Sequence, residues 1–514
     1  MDTNKAEKES VETTTVNTTP NSDSSTMKPD SEKDVEAGPD NRALGADEKD
    51  PNIVEWDGPD DPENPMNWPD GKKWINISIV SIITIVTPLG SSMFAPGIPS
   101  IMEEFHSTSS TVATFLLSIY ILGFAFGPLL VAPLSEIIGR QPLYVFGNII
   151  FVLFTVGAAL ANSIGMLMAF RLLMGLAGSI PITIGSGTIA DIMPLEKRGR
   201  AMSVWSLGPL LGPCIGPIAG GYLIQAAGWR WVYWLMVILA GIFIPVSIIF
   251  LKETFAPVLL ERKTQKLRKE TGNLNLQSKL SERLSPVDQF KVAIVRPVKL
   301  LVLTPIVTLM SLYVAISYGI LYLLITTFSF VFTDQYGFSE GDNGLTFLPA
   351  GIGFIVGVIG FGQIVDWMVK RNQAKGIEHK PELRLVPGLT IPCGLTLPIG
   401  LFIYGWTTQY AVHWIVPMIG VLIFSAGLMG VLFCIQNYLV DTYLRYAASV
   451  TAAMTVLRSL LGALLPLGGL EMYNTLGLGW GNSLLGFISL ALIPIPVVFY
   501  IFGERIRGRF NIKL

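Results

Sequence analysis

The sequence predicts an all-α membrane protein in which twelve spanning helices form two pseudo-symmetric six-helix halves, with both termini in the cytoplasm. Three observations carry this prediction. Charge is scarce outside the N-terminal 70 residues, the apolar runs of bilayer length number twelve, and Lys and Arg cluster on alternate connections between those runs.

Of the 514 residues, 51% are apolar and 14% charged, against about 25% charged in an average soluble protein. Residues 1–70 hold 19 of the 38 acidic residues and 6 of the 36 basic ones, so the overall charge of −2 hides an acidic tail and a mildly basic, very apolar body. Such a body excludes an ordinary soluble enzyme. Cys214, Cys393 and Cys434 all lie in apolar runs, which excludes a disulfide scaffold. No basic stripe stands outside the loops, so no nucleic-acid partner is expected. Residues 1–50 are too poor in large apolar side chains to offset their ordering entropy, and they lack the basic start and apolar core of a cleaved signal. Within Trp56–Trp68, WDGPDDPENPMNW is turn-prone. It reads as a linker, or as a segment placing Trp56, Trp68 and Trp74 at the membrane interface.

A crossing helix needs about 20 mostly apolar residues. Runs meeting this requirement fall near 75–95, 112–134, 142–162, 166–189, 201–225, 231–251, 301–330, 344–367, 385–405, 412–438, 447–470 and 481–503. One set of connections carries Arg140, Lys197, Arg198, Arg200, eleven basic residues between Lys252 and Lys299, Arg384, Arg445 and the basic C-terminal end. The alternate set carries Glu103, Glu104, Asp334, Glu340, Asp342 and Glu471, with Arg230 as the cation. Positive charge stays inside, so both termini are placed in the cytoplasm. The expected divisions are a disordered tail over 1–70, a first half over 71–252, a cytoplasmic linker over 253–300, and a second half with a short tail over 301–514. The two halves also resemble each other weakly. A small-residue helix with paired glycines follows an acid and a basic turn at Asp191–Arg198 and again at Asp441–Arg445, and Glu136 and Asp366 each end a second helix. A parallel repeat of this kind places a ligand site between the halves near the membrane midplane.

Three features carry chemistry. In GPLLVAPLSEIIGRQPLY (127–144), Glu136 and Arg140 flank Gly139 at a helix end, where they can form a charge network with Asp191 and Arg198. The alternative is a cluster that only sets topology. In GPLLGPCIGPIAGG (208–221), Gly208, Gly212, Gly216 and Gly220 share one helix face, and Pro209, Pro213 and Pro217 follow three of them. Such glycines admit a close neighbouring backbone, and the prolines remove hydrogen bonds. The alternative is a plain packing helix. Arg171 and Arg458 fall inside spans, where a cation is costly and marks either a functional site or a static polar network. Both readings stay open for each. Tyr120, Tyr313, Tyr318 and Tyr322 are candidates for lining a substrate cavity, or else core or lipid-facing residues.

These residues together resemble the major facilitator superfamily, specifically its fungal twelve-span drug:proton antiporters, a group of multidrug, polyamine and secondary-metabolite exporters. The matching pieces are DPENPMNW, APLSEIIGR, RLLMG from Arg171, ADIMPLEKRGRAM from Ala190, the Gly-Pro helix, WRWVYW from Trp229, YGILYL from Tyr318, and YLVDTYLRYAASVTAAMTVLRSLLGALLPL from Tyr438. The resemblance covers about residues 56–514. It implies a major facilitator fold, and it implies a monomeric exporter of amphipathic drugs, toxins or metabolites in a fungal plasma membrane. Protons would be the coupling ion, with no bound cofactor, metal or catalytic residue. It further implies gating roles for Glu136, Gly139 and Arg140, proton coupling at Arg171, and an antiporter role for Gly208–Gly221. The charge network is expected to extend to Asp366, Asp441 and Arg445. With no acidic residue in mid-span, substrates are expected to be neutral or anionic rather than polyamines. A proton-coupled importer, a dedicated organic-acid exporter and a non-transporting sensor remain the competing readings, because fold does not set direction.

Overall fold

A computed structural model describes residues 52–280, 285–374, 380–443 and 446–509. Its helices answer the demand that every backbone polar group in a bilayer be satisfied within the chain. We label the spanning helices α1 (Asp70–Ser92), α2 (Ser110–Ile138), α3 (Arg140–Ala159), α4 (Ile164–Ile192), α5 (Leu195–Ala227), α6 (Arg230–Phe250), α7 (Pro305–Tyr336), α8 (Leu348–Ala374), α9 (Pro387–Gln409), α10 (Ile415–Thr442), α11 (Ala447–Leu464) and α12 (478–509). Local chemistry sets their ends. Ser109 and Ser163 cap α2 and α4 by accepting the amides of Val112 and Met166. Glycines with positive φ close α2, α5 and α7, at Gly139, Gly228 and Gly337.

Two boundaries differ from the sequence reading. The seventh span starts at Pro305 rather than 301, because a residue before proline avoids the helical region, and Thr304 is extended (φ −114°, ψ 101°). The preceding helix, Pro286–Leu303, is therefore separate. At the other boundary, helical structure from Ala447 to Arg509 counts as one apolar stretch of 63 residues. At 1.5 Å per residue that would measure about 95 Å, three bilayer cores. Gly477 (φ 76°, ψ 167°) breaks it, and the Tyr473 hydroxyl meets the Asn482 side chain across the break. The eleven apolar segments thus supply twelve crossings.

Helix pairings in the first half recur six helices later: α1 on α5 and α7 on α11, α2 on α4 and α8 on α10, α3 on α6 and α9 on α12. The opening helix of each half, α1 or α7, is the most enclosed, while α6 turns Ile238, Ile242, Ile248 and Ile249 outward, as lipid rather than water allows. The halves meet where α2 packs on α11, and where α5 packs on α8 and the short helix Glu340–Leu345.

Of the expected disordered tail over 1–70, residues 52–69 are ordered, and residues 1–51 lie outside the described residues. Ile53–Val54 pairs in parallel with Gln277–Ser278 of the linker. Trp68 is buried against Ile77, Ile189, Ile192 and Ala201, so it packs on protein rather than facing lipid. Asp61 accepts the amides of Asp57 and Glu63, and Lys263 of the linker helix Ala256–Thr271 bridges Asp57 (2.8 Å) and Asp61 (3.3 Å). Burial opposes the charge on Asp61, but these donors outweigh it and hold the carboxyl below the usual range. The clasp is therefore intact at neutral pH and is lost only as the pH falls through that lowered value. Composition could not reveal this segment, because its order rests on partners some 200 residues away.

Candidate functional site

In the first half the ends of α2, α4 and α6 and the start of α3 meet around Arg140 on one face, called here the basic face. The turn between α2 and α3 is pinned there. Gly139 (φ 100°) brings the chain so close to Glu253, just after α6, that a Cβ would lie 2.3 Å from its carboxylate. Glu253 accepts the amides of Arg140 (2.9 Å) and Gln141 (3.3 Å) at the start of α3, where a helix welcomes negative charge. The Arg140 guanidinium pairs with Asp191 at the end of α4 (3.3 Å), donates to the Ser135 hydroxyl, and stacks on Phe255. Thr254 also donates to Asp191 (3.3 Å). One arginine and two carboxylates thus hold the ends of α2, α3, α4 and α6 together.

This arrangement moves Arg198 away from Asp191 and sets a break between Glu136 and Arg140. Gly139 ends the helix between Glu136 and Arg140, so their four-residue spacing does not put them on one helix face. Arg140 turns to Asp191, and Glu136 is exposed on the last turn of α2. Arg198 caps the last turn of α4 by donating to the carbonyls of Ala190 and Met193 rather than binding Asp191. Glu253, Thr254 and Ser135 were missed. Glu253 was legible as the acid next to Lys252 at the close of a span, but nothing local ties it to residue 140. In the second half, Arg384 pairs with Asp441 (2.9 Å) as Arg140 does with Asp191, Arg507 with Glu382 (3.2 Å), and Lys380 with Glu504 (3.1 Å). Arg445 lies outside the described residues, as does the side chain of Asp366 on α8. If the first-half network acts as a unit, Arg140→Gln and Asp191→Asn combined should cost less than the sum of the single changes. A thermal-unfolding double-mutant cycle should give a coupling of about 0.5–3 kcal/mol.

The two intramembrane arginines differ. Arg171 is fully buried and enclosed. Its Nε donates to the Leu116 carbonyl (2.7 Å), Nη1 to the Tyr233 hydroxyl (3.2 Å), and Nη2 to the carbonyls of Ser91 (3.0 Å) and Leu117 (3.4 Å). Phe94 covers the guanidinium face at 3.6 Å. These partners on α1, α2 and α6 are all neutral, as the static reading of Arg171 requires. Arg458 stands instead on the wall of a partly open cavity between the halves. Its guanidinium lies 4.8 Å from the Tyr318 ring centroid, and its buried Nε has no hydrogen-bond partner. The cavity is walled by α1, α2, α4 and α5 from the first half and by α7 and α11 from the second. Tyr318 and Tyr322 line it. Tyr120 and Tyr313 do not, being buried in helix packing, with the Tyr120 hydroxyl donating to the Thr87 carbonyl (2.8 Å).

The Gly-Pro helix α5 uses three faces. Its glycine face meets α1 backbone to backbone, where Cβ atoms at Gly208, Gly212, Gly216 and Gly220 would each lie within about 3.2 Å of α1 backbone; at Gly220 the Met93 carbonyl oxygen would be 1.7 Å away. Pro209 and Pro213 line the cavity. On the face opposite the basic one, α5 closes against the second half. A Cβ at Gly344 would sit 2.4 Å from the Pro217 carbonyl oxygen, and Ser100 donates to the Glu340 carboxylate.

Comparison with known proteins agrees with this architecture. The model of the Major Facilitator Superfamily matches residues 80–466. Efflux pump radE of Floropilus chiversii is 52% identical over 471 residues, covering 91% of this chain and 87% of its own. MFS-type transporter penM of Penicillium rubens is 51% identical over 495 residues, covering 95% and 97%. Among solved structures, a bacterial homologue of the human lysosomal transporter Spinster, inward-facing and unoccupied, superposes with a TM-score of 0.59 at 15% identity, covering 86% of this chain and 99% of that one. The xylose transporter XylE from E. coli, in a partially occluded inward-open state, gives 0.59 at 15%, covering 84% and 99%. The pairing of helices across two halves, the cavity between them and these matches together make the chain a member of the major facilitator superfamily, a multi-pass membrane transporter.

Proposed function

We propose that this transporter exports amphipathic drugs, toxins or secondary metabolites across a fungal plasma membrane by proton antiport, with the basic face in the cytoplasm. The observation that carries the reading is the cavity between the halves, walled by aromatic, proline and hydroxyl side chains around one cation. A largely apolar site with a few polar groups suits amphipathic compounds. The relative named as an efflux pump supports outward movement.

The packing supports alternating access. The halves touch through α5 and Glu340–Leu345 on the face opposite the basic one, the acidic face, so that face is closed around the cavity. Opening it requires Pro217 and Gly344 to separate while the basic face closes. Asp191 is the acid best placed to convert a proton into movement. Protonation would remove the charge that holds Arg140 and so release the α2–α3 turn from the end of α4.

Two tests apply. A yeast strain stripped of its own pumps should retain less of a fed amphipathic metabolite when it expresses the chain; equal retention across a broad panel, with the protein at the cell surface, opposes the export reading. For the closure, Gly344→Ala should prop the acidic face open. In a variant keeping only Cys214, which packs against Gly351 on that same contact, maleimide labelling should accelerate several-fold. An unchanged rate would place the closure elsewhere.

A further inference from the structure

We infer that Arg458 is the anchor for an anionic group on the substrate, so that the cavity selects amphipathic organic anions, carboxylates above all. This deepens the exporter reading and rests on it.

Arg458 lies 11 residues into α11, roughly 16 Å along the helix and close to the middle of the bilayer core. A cation at that depth is costly unless it is paired or enclosed by acceptors. Arg171 shows the enclosed solution in the same fold, with four hydrogen bonds and an aromatic cover. Arg458 has only the face of Tyr318, and among the described residues no carboxylate pairs with it. Among the described residues the cavity lining holds no acidic side chain, and Arg458 is its one formal charge. Its Nε is shielded from water and unpaired. A donor that is buried, charged and unpaired, and that stands on the wall of a cavity between the halves, lacks an acceptor that the protein itself does not supply.

The surroundings describe the rest of that acceptor. Tyr318 and Tyr322 pack ring against ring at 5.0 Å beside the guanidinium, and Phe124 faces them from α2. Pro209 and Pro213 add a rigid apolar wall. Ser179, Thr183, Thr455 and Ser459 contribute hydroxyls. The fork of an arginine matches a carboxylate through two parallel hydrogen bonds. An aromatic or alicyclic body would then lie against the rings. Binding such an anion neutralises Arg458 before the halves close around it, so the closed state carries a paired charge rather than a bare one. Because Tyr318 and Arg458 come from α7 and α11, and Phe124 from α2, the ligand would touch both halves.

The test uses the full chain in neutral-lipid nanodiscs, with protein-free discs subtracting partition into lipid. The probes are 1-naphthaleneacetate and its neutral amide, 1-naphthaleneacetamide, which share one ring system. Wild type should bind the carboxylate about 10- to 100-fold more tightly than the amide, the range expected of hydrogen bonds to charged partners. Arg458→Gln should abolish that preference with amide affinity unchanged, and Arg458→Lys should restore part of it. Thermal unfolding of each variant separates loss of the site from loss of fold. Equal affinity for the two probes in wild type, an equal loss of both in Arg458→Gln, or binding of neither overturns the proposal. Flux of the same probes from proteoliposomes separates the two readings. Outward movement without Arg458-dependent charge preference leaves export standing and the anion site refuted. Arg458-dependent binding without outward movement does the reverse.

Discussion

Arg171→Ala is expected to lower the unfolding temperature of the detergent-purified protein by several degrees, corresponding to a loss of about 3–5 kcal/mol. The substitution leaves the Leu116 and Ser91 carbonyls without their donor and opens a void beneath Phe94. Arg171→Lys should recover only part of the loss, since one ammonium cannot reach acceptors on α1, α2 and α6 as a planar fork does. The geometry makes this arginine a fastener of three helices. Its effect on transport should therefore scale with its effect on stability, and the pH dependence of whatever transport remains should be unchanged. A folded Arg171→Ala variant of normal stability with an altered pH profile would instead give Arg171 a direct part in proton coupling.

Gly220→Ala should be nearly as damaging, although it adds a single methyl group. Its Cβ would lie 1.7 Å from the Met93 carbonyl oxygen, an atom of the α1 backbone that no side-chain rotation can move aside. The helices must part, at a cost of about 1–3 kcal/mol or more, and the glycine face that brings α5 against α1 is lost along its length. Gly199, on the same helix, is the control. A Cβ there meets nothing within 4 Å, so Gly199→Ala should be neutral, or stabilising by about 0.5–1 kcal/mol through helix propensity. Thermal unfolding of the two variants checks both signs in one experiment. Equal effects would mean that the α1–α5 contact is looser than it stands here.

Much of this architecture was legible because the bilayer imposes its own length and composition on a spanning segment. The twelve apolar runs and the one-sided Lys and Arg needed no tertiary information. The Gly-Pro spacing likewise announced a close helix contact, though not that α1 would be the neighbour. What escaped depends on partners distant in sequence. Glu253 meets Arg140 across 113 residues, and residues 52–69 gain their order from Lys263 and from a strand beginning at Gln277. Gly139 turns the chain between Glu136 and Arg140, a local break that their four-residue spacing does not show. Depth along a helix could mark Arg171 and Arg458 as costly, but it could not tell them apart. One proved to be enclosed by carbonyls and the other to face a cavity, a difference set by which neighbours surround each side chain. For the same reason, two of the four candidate tyrosines line the cavity and two do not.

Uphill flux tests most directly whether a proton gradient drives substrate outward. Proteoliposomes with the purified chain, loaded at acidic pH and diluted into alkaline buffer, should accumulate an external amphipathic substrate above its outside concentration as protons leave. A protonophore should abolish the accumulation. Accumulation only when the gradient is reversed, with substrate and protons moving in the same direction, would contradict antiport and make this protein a proton-coupled importer.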